Sequence, residues 1–183
     1  MKTNPYTRAI IILLILAFTI FCDQLSKSIV RKKVTDFQTI SVLHNHITIE
    51  KVENTGAFLS LGDSVSKPVR IIFLNAIPLL LILGSLGYVF IKTTLNNTTA
   101  LAIILMIGGG IGNIYDRILH GSVTDFIYID LGGIFHTGVF NVADLCITIG
   151  ISIILLQSWF KKKPAVEVSN ENIEPEHIND SQV

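Results

Sequence analysis

The chain is short of charge and of cysteine. Only 15% of its 183 residues are Asp, Glu, Lys or Arg, too few for the surface of an ordinary soluble domain. Its two cysteines, Cys22 and Cys146, stand far apart with no Cys-x-x-Cys pair. That excludes a thiolate metal site or a disulfide framework and leaves both as small buried apolar residues. No Gly-x-Ser-x-Gly elbow and no His-Glu-x-x-His run occurs, so two familiar hydrolase signatures are excluded. The histidines, His44, His46, His120, His136 and His177, lack ligand spacing and fall in expected loops or the tail. No metal, no cofactor and no nucleic-acid partner is expected.

What the chain does have is long apolar runs. Half of its residues are hydrophobic and the mean hydropathy is +0.59. A spanning helix needs roughly 20 predominantly apolar residues, and four segments supply them, at about 9–30, 69–91, 98–118 and 139–160. The expected fold is an all-α polytopic membrane protein, with four transmembrane helices and a small β-containing extracytoplasmic element. Residues 1–163 form the membrane domain, and residues 164–183 a disordered, acidic cytoplasmic tail. That tail holds five acids, Glu167, Glu171, Glu174, Glu176 and Asp180, and no Lys or Arg; without it 14 basic residues face nine acidic ones. The first span carries Phe21 where a cleavable leader needs a small residue, so it reads as an uncleaved anchor.

Four spans put both termini on one side. Lys161, Lys162 and Lys163 after the last span, with Lys2 and Arg8 before the first, make that side the cytoplasm, although Arg31, Lys32 and Lys33 argue the other way. On the outer side, β-branched residues at Ile40, Val42, Ile47, Thr48 and Ile49 flank a His-Asn turn and predict a hairpin. In the third span, Gly108 and Gly112 lie one turn apart, a small-xxx-small pattern that admits a neighbouring helix closely. A phosphate loop is the competing reading, but the run has no preceding strand and no Gly-Lys-Ser/Thr ending.

Polar side chains collect at the outer ends of the spans: Asp23 and Lys27 from the first, Asn113, Asp116 and Arg117 from the third, Asn141 and Asp144 from the fourth. At 1.5 Å per residue, Asp144 lies about 9 Å below an entry near Gly138, which is shallow. A carboxylate inside hydrocarbon costs about 3 kcal/mol, so such a residue faces a protein interior and has a task. In the segment before it, Val123, Asp125, Ile127 and Ile129 share one side if the chain is extended, which sets an acid on an apolar face. Asp130, beside Gly132 and Gly133, is turn chemistry. Two acids, Asp125 and Asp144, are therefore left without a local explanation. Two carboxylates in a low-dielectric site share a proton, so one can act as base toward water while the other donates to a carbonyl.

Bland accounts exist for the remainder. Asp23 with Lys27 suits an i,i+4 ion pair, Asp116 with Arg117 a helix-end pair or interface anchor, Asn141 a helix cap, and Asn54 a turn before Gly56. A small proton- or cation-coupled transporter is the alternative use of the two aspartates, opposed by the lack of an internal repeat and of paired interrupted helices. A non-catalytic assembly or lipid-binding membrane protein is a third.

Taken as a set, DQLSK at 23–27, NTGAF at 54–58, GNIYDRILHGSVTDF at 112–126 and FNVAD at 140–144 resemble lipoprotein signal peptidase, or signal peptidase II, the bacterial intramembrane aspartic peptidase family. The resemblance implies an enzyme of the inner membrane, with its active site near the extracytoplasmic face, acting as a monomer. Its substrate is a diacylglyceryl-modified prolipoprotein, cut just before the lipidated cysteine. Residue by residue, Asp125 and Asp144 match the family's catalytic pair. Asn113, Arg117 and Asn141 match polar residues that support the pair or hold substrate backbone. Asn54 and Gly56 match the segment over the substrate, and Asp23 with Lys27 the polar end of the first helix. One departure is the second motif, which often has two alanines before its phenylalanine; here Gly56, Ala57 and Phe58 are consecutive, which shifts Phe58 against substrate.

Overall fold

A computed structural model describes residues 4–43, 46–56, 66–132 and 134–160. The expected tail, the Lys161–Lys163 triplet, the His-Asn turn itself and Phe58 lie outside these.

Helix α1 (Pro5–Lys33) starts where Asn4 accepts the Tyr6 N–H and Pro5 sits at a first-turn position that needs no donor; it ends with Arg31, Lys32 and Lys33 at the negative pole of its dipole. It is longer at both ends than hydropathy suggests, because capping and basic residues extend a helix past the apolar run. After α1 come β1 (Thr39–Val42) and β2 (Ile47–Asn54), the expected hairpin.

The second span, Pro68–Ile91, is one helical rod in three pieces: α2 (Lys67–Ile71), a π-helical turn (Ile72–Ala76) and α3 (Ile77–Ile91). Pro78 has no N–H, and its ring presses on the carbonyl one turn back; the wider turn before it accommodates both. Helix α4 (Asn97–His120) is capped by Asn96 and closed by Gly121 at φ 78, a left-handed conformation that suits glycine. Strand β3 (Val123–Ile129) joins the hairpin on the β2 side, giving the antiparallel order β1-β2-β3.

Helix α5 (Val142–Phe160) begins three residues later than the 139 expected. The preceding residues stay extended because Phe140 exchanges backbone hydrogen bonds with Ile127 at 2.8 and 2.9 Å. Apolarity alone does not distinguish such a segment from the first turn of a helix.

The spans pack around α4. A Cβ added at Gly108 would sit 2.8 Å from Thr19 Cγ2 of α1, and one at Gly109 would run into the Ala143 carbonyl of α5. The glycines are thus where neighbouring helices come close, as the small-xxx-small pattern predicts. Ile12, Leu16, Ile82, Val89, Ile104, Ile107 and Ile114 form the apolar core, while Phe18, Phe21, Leu80, Leu81 and Trp159 point outward, as lipid-facing side chains do. The sheet, the C-terminal ends of α1 and α4 and the N-terminal ends of α2 and α5 share one end of the bundle. Cys22 and Cys146 are half-buried and unpaired, less enclosed than expected.

Candidate active site

At the sheet end of the bundle the nine residues expected from sequence meet in one hydrogen-bonded network. Strand β3 and the entry to α5 run side by side through the Phe140–Ile127 pairing, so Asn141 follows directly beside Asp125. Asn141 Nδ2 donates to Asp125 Oδ1 at 2.6 Å. Asn141 also caps α5: its Oδ1 accepts the Asp144 N–H at 3.0 Å, and Asp144 Oδ2 accepts the Asn141 N–H at 3.2 Å. This reciprocal box satisfies two orphan donors of the first turn. It also fixes Asp144 three residues from the helix start, with its acid at the positive end of the dipole.

On its other side, Asp125 Oδ2 accepts from Asn54 Nδ2 at 2.9 Å, while Asn54 Oδ1 accepts the Gly56 N–H at 3.0 Å. Asn54 therefore makes the expected turn and hydrogen-bonds Asp125 at once. Asn54 reaches Asp125 because β2 carries a bulge between Ile49 and Val52; past it, Val52 pairs with Asp125 and Asn54 with Val123. Without the extra residue, side-chain alternation would turn Glu53 toward this face.

Asn113 of α4 donates to Asp144 Oδ1 at 2.8 Å, and its own Oδ1 accepts from Asn141 at 3.3 Å and from Lys27 Nζ at 2.9 Å. Lys27 is completely buried and lies between two acids, 2.9 Å from Asp23 Oδ2 and 3.1 Å from Asp116 Oδ2. Arg31 Nη2 balances Asp116 at 2.9 Å, so two positive and two negative groups are enclosed together. Asp23 Oδ1 accepts the Ala143 N–H at 2.9 Å, tying the first turn of α5 to α1. Its carboxylate occupies the space a Cβ on Gly112 would need.

Asp116 and Arg117 do not pair with each other as expected, because consecutive helical residues point in different directions. Asp116 turns inward to Lys27 and Arg31, whereas Arg117 Nη2 donates to the Gly56 carbonyl at 3.1 Å. Asp130 accepts the Gly132 N–H at 2.8 Å, the expected turn. Among the described histidines, His46, His120 and His136 are exposed, with His120 in the last turn of α4 rather than in a loop. No group of metal-ligating side chains occurs among the described residues.

Sequence reasoning read Arg31 only as a charge bearing on orientation, gave Gln24 no role of its own, and left Asp116 between a helix-end pair and a site role. Gln24 donates to Asp23 at 3.0 Å and to Asp116 at 3.2 Å, and Arg31 Nε donates to Thr124 Oγ1 at 2.8 Å. The available signal was spacing, since Asp23, Lys27 and Arg31 fall at i, i+4 and i+8 on one helical stripe.

Burial pushes the Asp125 carboxyl up to about 6; the hydrogen bonds from Asn54 and Asn141 work against this, and the nearby charge of Asp144 works with it. Asp125 is 3% exposed. A carboxyl so placed is protonated readily beside a second carboxyl, an arrangement suited to acid–base chemistry on a neutral substrate.

Residues 15–160 match the model of a peptidase family described as signal peptidase (SPase) II. The chain belongs to the signal peptidase II family. A lipoprotein signal peptidase of Borrelia hermsii (strain HS1 / DAH) is 30% identical over 154 residues, which cover 81% of this chain and 89% of that protein. One from Chlorobium phaeobacteroides is 34% identical over 147 residues, 76% and 84% of the two chains. A solved structure, a bacterial membrane enzyme studied by the in meso method, superimposes with a TM-score of 0.71 at 29% identity, covering 84% of this chain and 92% of that one. Membership makes this chain a peptidase and a bacterial multi-pass membrane protein, and the four apolar helices agree with that. Nothing in these likenesses favours the transporter alternative.

Proposed function

We propose that this signal peptidase II family member is an aspartic endopeptidase that removes the signal peptide from diacylglyceryl-modified prolipoproteins, with Asp125 and Asp144 as its catalytic pair. The observation that carries this reading is that Asn141 holds both acids, one by its side chain and the other through the capping box.

The pair holds one proton between two carboxyl groups. Asp125, with its elevated pKa, carries that proton and points it at the scissile carbonyl oxygen, while Asp144 accepts a proton from the attacking water. Hydroxide adds to the carbonyl carbon as the carbonyl oxygen takes the Asp125 proton. Asp144 then returns its proton to the departing amine, and collapse of the diol breaks the C–N bond and restores the shared proton. Neither a metal nor a covalent intermediate is needed. Asn113 and Asn141 hold the carboxylates in register, and Asn54, Gly56 and Arg117 are the groups that hold or cover the substrate backbone.

The same reading sets the sheet end of the bundle at the extracytoplasmic face and both termini in the cytoplasm, with residues 1–163 the membrane domain and 164–183 a cytoplasmic tail. A cysteine anchored by acyl chains sits near that interface, and a residue in the first turn of α5 is at matching depth. Likeness to lipoprotein signal peptidases over most of their length supports the substrate class. The test is to incubate the purified protein with one precursor peptide bearing or lacking the diacylglyceryl group and locate the cut by mass spectrometry. Cleavage only of the lipidated form, directly before the modified cysteine, is expected; equal cleavage of both forms overturns the assignment.

A further inference from the structure

Two hollows follow one another along the seam between α2–α3 and α4. The first, of about 480 Å³, lies at the sheet end and is lined by Thr55, Arg70, Leu74, Asn75, Arg117 and Ile118, among others. The second, of about 400 Å³, lies deeper and is almost wholly apolar, with Leu81, Ile82, Gly84, Ile103, Met106 and Gly110 in its wall. From Arg117 down to Ile103 is 14 residues, about 21 Å of helix. That exceeds one leaflet of hydrocarbon, about 15 Å, and falls short of the roughly 30 Å of the whole core. The seam therefore suits an acyl chain rooted at the sheet-side interface rather than a spanning helix.

The upper hollow is equipped for a ligand with carbonyl oxygens. Among the described residues neither Arg70 nor Arg117 forms an ion pair with a carboxylate. Arg70 Nη1 donates to the Thr55 carbonyl at a long 3.4 Å. Arg117 Nε and Asn75 Oδ1 are buried with no hydrogen-bond partner among the described residues, and a bound ligand that supplies those partners relieves the cost of leaving them unmade. Asn75 belongs to the π-helical turn, the kind of irregularity that recurs at functional sites. Donors from two arginines beside one unpartnered acceptor match ester carbonyls next to a peptide N–H. They match a phosphate less well, since its oxygens would confront Asn75 Oδ1.

We infer that this seam is the seat of the substrate's lipid: Arg70 and Arg117 donate to the ester carbonyls of the diacylglyceryl group, Asn75 accepts a backbone N–H beside the lipidated cysteine, and an acyl chain lies in the groove past Gly84. This rests on the substrate class proposed above and adds where, and by which atoms, the lipid is read. Arg70, Asn75 and Gly84 are its new elements.

The test compares KM for precursor peptides carrying an S-diacylglyceryl group, the ether-linked dialkyl analogue without ester carbonyls, and a short-chain diacyl analogue. The wild-type protein is expected to favour ester over ether by about tenfold in KM, and Arg70→Gln to cut that ratio to about threefold, the Arg117 donor remaining. A Cβ at Gly84 meets nothing within 4 Å, so the side chain of Gly84→Leu starts into open space and projects into the groove. It is expected to raise KM for the long-chain peptide and spare the short-chain one, and Ser85→Leu, in the same groove, to do likewise. An ester-to-ether ratio that Arg70→Gln leaves intact, or fillers that ignore chain length, overturns the inference while leaving the peptidase reading standing. Failure of the wild-type protein to cleave any lipidated peptide sinks the substrate class itself.

Discussion

Asn141 and Asp144 hold each other, the side chain of the first accepting the N–H of the second at 3.0 Å and the carboxylate of the second accepting the N–H of the first at 3.2 Å. Under the proposed mechanism the helix cap and the device that positions the catalytic pair are one and the same group of atoms. The two roles separate by substitution. Asn141→Ser keeps a cap, so its thermal stability in detergent should lie near wild type, whereas Asn141→Ala should lose about 1 kcal/mol. Both remove the donor to Asp125 and should lower kcat/KM by about a hundredfold or more. Activity in Asn141→Ser close to wild type would show that the Asn141–Asp125 bond does not matter to the reaction.

The pH dependence follows from Asp125. Its folded-state pKa, about 6, exceeds its unfolded value, so the folded protein binds this proton more tightly; the stability it contributes is complete at low pH and is lost as pH rises to about 6. The proposed mechanism needs the same proton, so kcat/KM should fall above about pH 6, the limb belonging to the free protein. Asn54→Ala removes a hydrogen bond that favours the carboxylate. It should therefore move this limb upward, by roughly one unit. A pH–rate profile of both proteins decides, and a limb that moves down in Asn54→Ala contradicts the assignment of the proton to Asp125.

Lys27 is enclosed with Asp23 and Asp116. Removing one member of such a cluster leaves an uncompensated buried charge, so Lys27→Met should cost about 3–5 kcal/mol. Adding Asp23→Asn to Lys27→Met restores neutrality and should recover part of the loss. Unfolding in a fixed detergent measures both variants, and additive losses in the double variant would argue against the cluster acting as a charge-balanced unit.

The membrane fold was legible in the sequence because hydrocarbon imposes length and apolarity on every span. The boundaries were less so. Asn4, Asn96 and Asn141 set three helix starts by capping, and the 142 start of α5 depended on Phe140 pairing with β3, a contact between distant segments. Asp125 and Asp144 stood out as acids on apolar surroundings, and the motif resemblance gathered their partners. Arg31 and Gln24 did not stand out, since a polar residue at the end of a span usually reads as interfacial. Nor could the β2 bulge be foreseen, although it alone brings Asn54, rather than Glu53, beside Asp125; hydrophobic alternation is blind to a single inserted residue. Arg70 and Asn75 escaped notice because their meaning lies in what the described residues do not give them, a carboxylate for Arg70 and a donor for Asn75 Oδ1.

The central claim is that hydrolysis depends on the Asp125–Asp144 pair, and the direct measurement is the rate at which purified Asp125→Asn and Asp144→Asn proteins cleave a diacylglyceryl-modified precursor, with thermal unfolding recorded alongside. Each variant should unfold as a folded protein does and cleave at less than about one-hundredth of the wild-type rate. A folded variant of either kind cleaving within about tenfold of wild type would contradict the account.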